Sequence, residues 1–297
     1  MEITFLGTTS MVPTKDRNHS AILLAFKDEK ILIDCGEGTQ RQLRMAKIAA
    51  PRITKILITH WHGDHVLGLP GLMQTLIAND YNKDLEIYVP EGTKDNFKKM
   101  FGFFVLRGDT IRHKVIEVPE GKFFESEDFE LHAFKVDHTS SSVGYVFKEK
   151  DRKRINLQYL KKFGLKQNPI LKKLQQGKDI VWEGKKIKVK DATVPVKGKK
   201  ISFVLDTKYF AGLVKPVKDS DILIAESTYL DDMKKVAVER KHMTAQQAGS
   251  LAKKAKVSEL YLTHFSQRYQ DLKLFLDEAR KEFKNVKVAR DFLKVRV

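Results

Sequence analysis

Eleven short stretches of the chain are apolar or alternate apolar with polar residues, the pattern of strands buried on one or both faces. They cover residues 2–6, 21–26, 30–34, 53–59, 85–89, 129–137, 143–147, 201–205, 221–225, 259–263 and 286–290. Between several of them the period lengthens to that of an amphipathic helix, in GTQRQLRMAKI, LPGLMQTLIAN, GTKDNFKKMFGFF, MTAQQAGSLAKKAK and YQDLKLFLDEARKEF. Strands precede helices in both halves without a repeat of about 20 to 50 residues, which predicts α/β layering and excludes a solenoid.

That order breaks between residues 148 and 200. The segment holds two glycine-bounded helical pieces, LQYLKKFG and PILKKLQQG. Its apolar residues are sparse, so it is expected to project as an arm without a core of its own. Charge sets it apart further: it carries 18 Lys and Arg against 5 Asp and Glu, while the rest of the chain carries 37 against 33. Thermophilic surface enrichment would raise both signs together. A one-sided excess points instead to a polyanionic partner, nucleic acid above all.

At 297 residues and 42% hydrophobic, the chain can bury a sizeable core, and residues 1–297 read as one domain with the arm at 148–200 inserted in it. No apolar run reaches the length of a membrane span, and MEITFLGTTS has neither the basic start nor the apolar stretch of a secretion signal. A cytoplasmic protein without a membrane partner is expected. The single cysteine, Cys35, excludes an internal disulfide and a multi-cysteine metal site, and is expected to be a small buried side chain.

Candidate chemistry gathers at strand ends. In KILITHWHGDHVLG (55–68) an apolar run is followed at once by His60, His62, Asp64 and His65, with Gly63 expected to let the backbone turn sharply. A core has no use for four adjacent polar groups that each need a partner. Imidazole and carboxylate are ligands for borderline divalent metals such as Zn²⁺. His138, Asp206 and His264 each follow another predicted strand, and the carboxyl edge of an α/β sheet is where ligands bind. Seven ligands suit two ions: His60, His62 and His138 on one, Asp64, His65 and His264 on the other, with Asp206 bridging. Such a pair, roughly 3.5 to 4 Å apart, is a clamp for displacement at phosphorus and ionises a water near neutral pH. Asp64 is also placed to receive that water's proton. His132 shares strand parity with His138, but six residues of extended chain separate them by about 20 Å, so it is excluded. His113 and His19 lack this context and are expected at the surface.

His-x-His-x-Asp-His after a strand, with later His, Asp and His at strand ends, resembles the metallo-β-lactamase superfamily. The resemblance implies an αβ/βα four-layer sandwich with the site at the joint edge of two sheets, and makes Asp34 in LIDCGEGTQ a structural aspartate beneath the metals. Finer matches, LGTTSMVPTKDRN, DCGEGTQRQL, THWHGDHVLGLPGL, VDHTSSSVGY, LDTKY, AESTY and HMTAQQAG, run along nearly the whole chain and resemble the ribonuclease Z family. Its members remove 3′ trailers from precursor tRNA, and its short form carries a tRNA-binding arm where the basic block lies here.

By that resemblance His242 donates a proton to the leaving 3′ oxygen and Glu226 orients it. Lys15 and Arg17 would contact RNA backbone, as would the arm lysines Lys161, Lys162, Lys172 and Lys173. Independently, Thr244 with Gln247 reads as a capping box that sets His242 just before a helix. The sequence departs from the family at Leu205, where glycine is usual, at Met243, where serine is usual, and at Asn168-Pro169, which keeps half of a Gly-Pro pair. The reading predicts two zinc ions, with Mn²⁺ an alternative, cleavage after the discriminator nucleotide to leave a 3′-hydroxyl tRNA and a 5′-phosphate trailer, and a homodimer in which one subunit's arm grips tRNA held by the other. Two rivals are a small-molecule phosphodiesterase or thioesterase of the same superfamily, which leaves the arm without a role, and a nucleic-acid-binding protein with structural metals.

Overall fold

The computed structural model describes residues 1–104 and 111–297. Its first sheet is built from β1 (Glu2–Gly7), β2 (Ala21–Phe26), β3 (Glu29–Ile33), β4 (Lys55–Leu57), β5 (Leu85–Pro90) and β6 (His113–Val118), with β18 (Lys294–Arg296) closing its other edge. The order is β18-β1-β2-β3-β4-β5-β6. The second sheet takes β7 (Gly121–Glu125), β8 (Phe129–Lys135), β9 (Val143–Glu149), β14 (Lys200–Val204), β15 (Ile222–Glu226), β16 (Glu259–Thr263) and β17 (Val286–Val288), in the order β17-β16-β15-β14-β9-β8-β7.

Alternation along the strands decides the layering. Leu23, Leu32, Ile56 and Ile87 face outward and pack with Leu43, Leu69, Leu72 and Leu76 of helices Thr39–Met45 and Leu69–Ala78. Their neighbours point the other way, so that Phe5 stacks on Tyr261 at 5.8 Å and Phe26 meets Phe147 edge-on at 5.2 Å, each pair joining one sheet to the other. On the second sheet Val204, Leu223, Ala225, Leu260 and Leu262 turn outward onto Ala248, Leu251, Phe275 and Ala279 of helices Ala245–Lys254 and Lys273–Arg280. The result is helix, sheet, sheet, helix, the four-layer αβ/βα sandwich expected. Several strands that lead to candidate residues run parallel, β3 with β4 in the first sheet and β14 with β15 and β16 in the second, so the carboxyl ends of each set share an edge.

The chain divides into two compact units, one comprising Met1–Phe124, Leu131–Phe147 and Lys200–Val297, the other Glu125–Glu130 and Lys148–Lys199. The second corrects the expectation of a coreless arm. Leu160, Leu165, Leu171, Leu174, Ile180, Ile187, Val189 and Ala192 form a buried cluster of their own, framed by the hairpin-like pairs β10 (Arg152–Ile155) with β13 (Thr193–Val196) and β11 (Ile180–Trp182) with β12 (Lys185–Ile187). Those apolar residues are scattered singly among lysines. A count of composition therefore missed that helices Leu157–Lys161 and Leu171–Gln175 bring them to one side.

The strands β6, β7, β10 to β13 and β18 were not expected. All are three to six residues long, and several are rich in charge, as in KKI and KVR, so they carry no apolar run long enough to reveal them. Conversely, β4 keeps only three of the seven residues predicted at 53–59, because the chain bends into the histidine loop at once. Among the described residues no helix is long and apolar enough to cross a membrane.

Candidate metal centre and proton donor

The histidine loop is held by its own backbone and by Asp34. Just past β3, Asp34 is completely buried and adopts φ 58°. Its Oδ1 accepts the Thr59 backbone N–H at 2.8 Å, and its Oδ2 accepts the Thr59 hydroxyl at 2.8 Å and His65 Nδ1 at 2.6 Å. The chain after Asp34 is laced to the loop by Cys35 N–H to His65 O at 2.8 Å and Gly68 N–H to Cys35 O at 2.9 Å. Backbone passes so close here that a Cβ on Gly68 would lie 2.0 Å from the Gly36 carbonyl oxygen. Gly68 is thus the glycine the loop needs, whereas Gly63 simply opens the helical turn Gly63–Val66.

Three further strand ends complete the site. Asp206 and His264, after β14 and β16, both sit in the left-handed region, at φ 36° and 61°. Together with Asp34 they are local strain held in place by the surrounding sheet, as is common at functional sites. His138 follows β8. The ligand atoms of His60, His62, His138 and Asp206 lie within 4.8 Å of one another, and so do those of Asp64, His65 and His264. Asp206 stands between the groups: its Oδ2 is 3.6 Å from His60 Nε2 and 3.7 Å from His138 Nε2, and its Oδ1 is 3.4 Å from His65 Nε2 and 3.2 Å from His264 Nε2.

Hydrogen bonds at the far side of each ring decide which nitrogen is free. His65 Nδ1 donates to Asp34 and His138 Nδ1 donates to the Lys241 carbonyl at 3.1 Å. The Thr59 hydroxyl, already donating to Asp34, can only accept from His60 Nδ1 at 3.0 Å; the Thr228 hydroxyl, donating to Glu226 Oε2 at 2.7 Å, accepts from His264 Nδ1 at 3.1 Å. All four Nε2 atoms therefore point inward and are the lone-pair nitrogens whenever the rings are neutral, and His65 Nε2 faces His264 Nε2 at 3.2 Å. His62 is placed the other way round, with Nε2 on the Thr139 hydroxyl and Nδ1 turned inward, 3.2 Å from His138 Nε2. His60 Nε2, Asp64 Oδ1 and Asp206 Oδ1 are buried without a hydrogen-bond partner. Lone pairs converging in a buried space need a cation, and this nitrogen and oxygen donor set fits borderline divalent ions.

The buried carboxylates dominate the charge balance of this edge. Burial, and then the neighbouring His65, push His60 far below the usual imidazole range. Burial also opposes a charged His65, but Asp206, Asp64 and Asp34 outweigh it and hold that ring high. Asp64 and Asp206 stay ionised against burial because His65 and His264 lie beside them. Asp64 is also fixed by the Met11 backbone N–H, which donates to its Oδ2 at 2.9 Å.

His242 completes the edge. Its Nδ1 lies 2.9 Å from Glu226 Oε1 and 4.0 Å from Asp206 Oδ2. Glu226 is wholly buried, and its carboxylate also accepts the Thr207 backbone N–H at 2.7 Å. Burial works against a charged imidazole, yet Glu226, with help from Asp206 and Asp64, raises His242 to about 9. The loop is fixed from behind by Thr244, whose capping box with Gln247 starts helix Ala245–Lys254.

Of the remaining expectations, Lys15 is exposed, and so are Lys161, Lys162, Lys172 and Lys173 on the arm helices. Arg17 is not free for RNA. It is 8% exposed, and its guanidinium donates to the Tyr269 carbonyl at 2.9 Å and the Ser266 carbonyl at 3.4 Å, fastening the 8–19 loop to the segment after β16. His19, expected at the surface, is buried: Gly7 and Gly36 pack directly against it, and its Nε2 donates to the Met11 carbonyl at 2.9 Å. His113 is half-buried on β6. Thr59, Thr228 and Lys241 escaped notice, since their roles lie in orienting histidines distant in sequence; only Thr59, adjacent to His60, left a local hint.

Comparisons with known proteins place this geometry. The family described as Anti-Pycsar protein Apyc1 matches residues 1–162, which include the histidine loop and His138 but stop before Asp206, His242 and His264. Relatives named Ribonuclease Z match throughout: that of Thermococcus kodakarensis is 39% identical, with 95% of this chain and 88% of the relative covered, and that of Methanosarcina mazei is 36% identical, covering 100% and 98%. Among solved structures, human tRNase Z short form (ELAC1) superposes with a TM-score of 0.70 at 30% identity, covering 100% of this chain and 99% of the other. The metallo-β-lactamase fold protein YhfI from Bacillus subtilis, at 19% identity and a TM-score of 0.72, shares the fold. With four strand ends delivering the ligands and the similarity running through both sheets and the arm, the chain belongs to the ribonuclease Z family of metallo-β-lactamase-fold enzymes.

Proposed function

We propose that the protein is a metal-dependent endoribonuclease that removes the 3′ trailer from precursor tRNA. The observation that carries this reading is the His242–Glu226 pair standing beside two groups of buried, inward-facing ligands in a chain with full-length relatives named Ribonuclease Z. His60, His62 and His138 would hold one ion and Asp64, His65 and His264 the other, with Asp206 shared; zinc suits this set, and Mn²⁺ is compatible. When bound, two such ions polarise a phosphodiester and ionise a water near neutral pH.

The chain's own residues do the rest. With Nδ1 held by Glu226 Oε1 at 2.9 Å, His242 would present an Nε2 proton to the departing 3′ oxygen. Glu226 keeps the charge on that ring and stabilises its orientation. The products would be a 3′-hydroxyl tRNA cut after the discriminator and a 5′-phosphate trailer. Asp64, fixed by the Met11 N–H on Oδ2, would serve as a ligand and is also placed to receive the water's proton.

The arm supplies attraction rather than chemistry. Its lysines are point charges that follow phosphates and the shape of A-form RNA without reading base edges. Besides the helix lysines, an open cleft of about 580 Å³ is lined by Lys153, Lys188 and Lys190, so strand and loop lysines share the task. A cytoplasmic homodimer, with the arm of one subunit on tRNA held by the other, belongs to the same reading.

The test is to incubate the metal-loaded protein with a 3′-extended precursor tRNA and map both new ends, beside an Asp64→Ala variant and a deletion of residues 151–197. The deletion joins ends already paired through Glu149 N–H to Lys199 O at 2.8 Å. A single cut after the discriminator, lost in Asp64→Ala and weakened in the deletion while bis(p-nitrophenyl) phosphate is still hydrolysed, is expected. No cut of the precursor with that small diester still hydrolysed would favour a small-molecule phosphodiesterase, and unchanged cleavage by the deletion would sink the arm's assignment.

A further inference from the structure

One residue stitches the loop of the ligand His138 to the loop of the proton donor. Lys241 follows the helix Lys234–Glu239 at φ 56°, a left-handed turn that aims its carbonyl at His138, where it accepts from Nδ1 at 3.1 Å. Its ammonium reaches back to the same loop, donating to the His138 carbonyl at 3.0 Å and pairing with Asp137 Oδ1 at 2.9 Å. Lys241 thus grips His138 from both sides, by backbone on the ring and by side chain on the main chain, and the next residue is His242. Asp137 has a second partner, Lys208, at 2.8 Å from Oδ2, which touches Asp137 but gives His138 no side-chain bond.

The charge of Lys241 runs against its place. A cation site gains nothing from an ammonium beside a ligand, and simple Coulomb interaction makes such a group repel the incoming ion. A lysine at this position is explained by what it holds, since the group that fixes a metal-bound imidazole's far nitrogen and its loop sets the aim of the ligand atom.

We propose that Lys241 is a positioning residue for the ion held by His60, His62, His138 and Asp206, acting by clamping the His138 loop against the His242 turn. The inference rests on the proposed metal centre and not on the RNA substrate. It also separates two effects by sign. If the ammonium acts by position, removing it weakens that ion; if it acts by charge alone, removing it tightens the ion, and removing Lys208 does the same.

The experiment is a titration of the metal-free protein with Zn²⁺ against a chromophoric chelator, repeated with Co²⁺ to follow its ligand-field bands, for the parent, Lys241→Met, Lys241→Arg and Lys208→Met. Thermal unfolding of the metal-free proteins shows that each is folded. The expected result is two ions bound by the parent, one of them weakened about 10- to 100-fold in Lys241→Met, most of that affinity restored in Lys241→Arg, and no weakening in Lys208→Met. Unchanged or tighter binding in Lys241→Met, or equal weakening in Lys208→Met, would overturn the proposal. No RNA enters the titration, so the outcome stands apart from whether precursor tRNA is cut.

Discussion

The ligand edge of the sandwich and the arm are both densely charged, and they handle charge in opposite ways. At the ligand edge His60, Asp64, His65, His138, Asp206 and His264 are all buried, each far-side ring nitrogen is tied, and three polar atoms remain orphaned. In the arm the lysines named for RNA are exposed, and what is buried is a small apolar cluster. Buried charge is tolerated only where a partner of opposite sign arrives, so the ligand edge implies chemistry at short range. Exposed charge costs little, is screened by salt and acts over a distance, so the arm implies capture.

The largest test of that contrast is at Asp206, the carboxylate shared by both ligand groups. Asp206→Asn keeps the shape and removes the negative charge between four imidazole nitrogens. Cleavage of precursor tRNA should fall about 10³-fold, the equivalent of several kcal/mol of lost transition-state stabilisation, with bound zinc reduced when measured by atomic emission. Full metal content and a normal rate in that variant would show that the bridging role is misplaced. A smaller loss, about 10²-fold in kcat at little-changed KM, is expected for His242→Ala, the signature of a proton donor to the leaving oxygen and not of a binding group. Metal content should be kept. A variant that instead raised KM alone would make His242 an RNA-binding residue.

The arm answers differently. Leu174 is wholly buried at the centre of its cluster, and Leu174→Ala should destabilise that unit by about 2 to 5 kcal/mol. Hydrogen exchange in residues 157–192 should accelerate while hydrolysis of bis(p-nitrophenyl) phosphate by the ligand edge persists. Unaltered exchange would return the arm to the coreless state that its composition suggests. This is also where the sequence was least legible. Strand-end histidines announce themselves because polar residues interrupt an apolar run, and the seven candidate ligands picked out that way do converge at one edge. Leu160 reaches Leu171 and Leu174 only through the turn at Gly164, and Ile180 reaches them only through the turn at Gly177, which no local periodicity reveals. The burial of Arg17 was hidden for the same reason, since its acceptors, the carbonyls of Ser266 and Tyr269, lie some two hundred and fifty positions away.

A buried acid away from the ligands sharpens the rule. Asp291 accepts from the Thr8 hydroxyl and the Asn18 backbone N–H at 2.8 Å each and from Gln42 Nε2 at 3.0 Å. Burial nonetheless raises it to about 6, because these neutral donors and the nearby Arg17 do not compensate in full. The carboxylates at the ligand edge move the other way, since imidazoles face them. For Asp291 the folded chain holds its proton more tightly than the unfolded chain, whose carboxyl titrates near 3.8. Its stabilising contribution is therefore present below about pH 4 and lost as pH rises through about 6. Asp291→Asn should flatten that part of the stability curve, so that denaturant midpoints of parent and variant diverge between pH 4 and 6 and run parallel above it. If the two curves stay parallel from pH 4 to 8, Asp291 is ionised throughout, and burial alone does not protonate an acid that three donors surround.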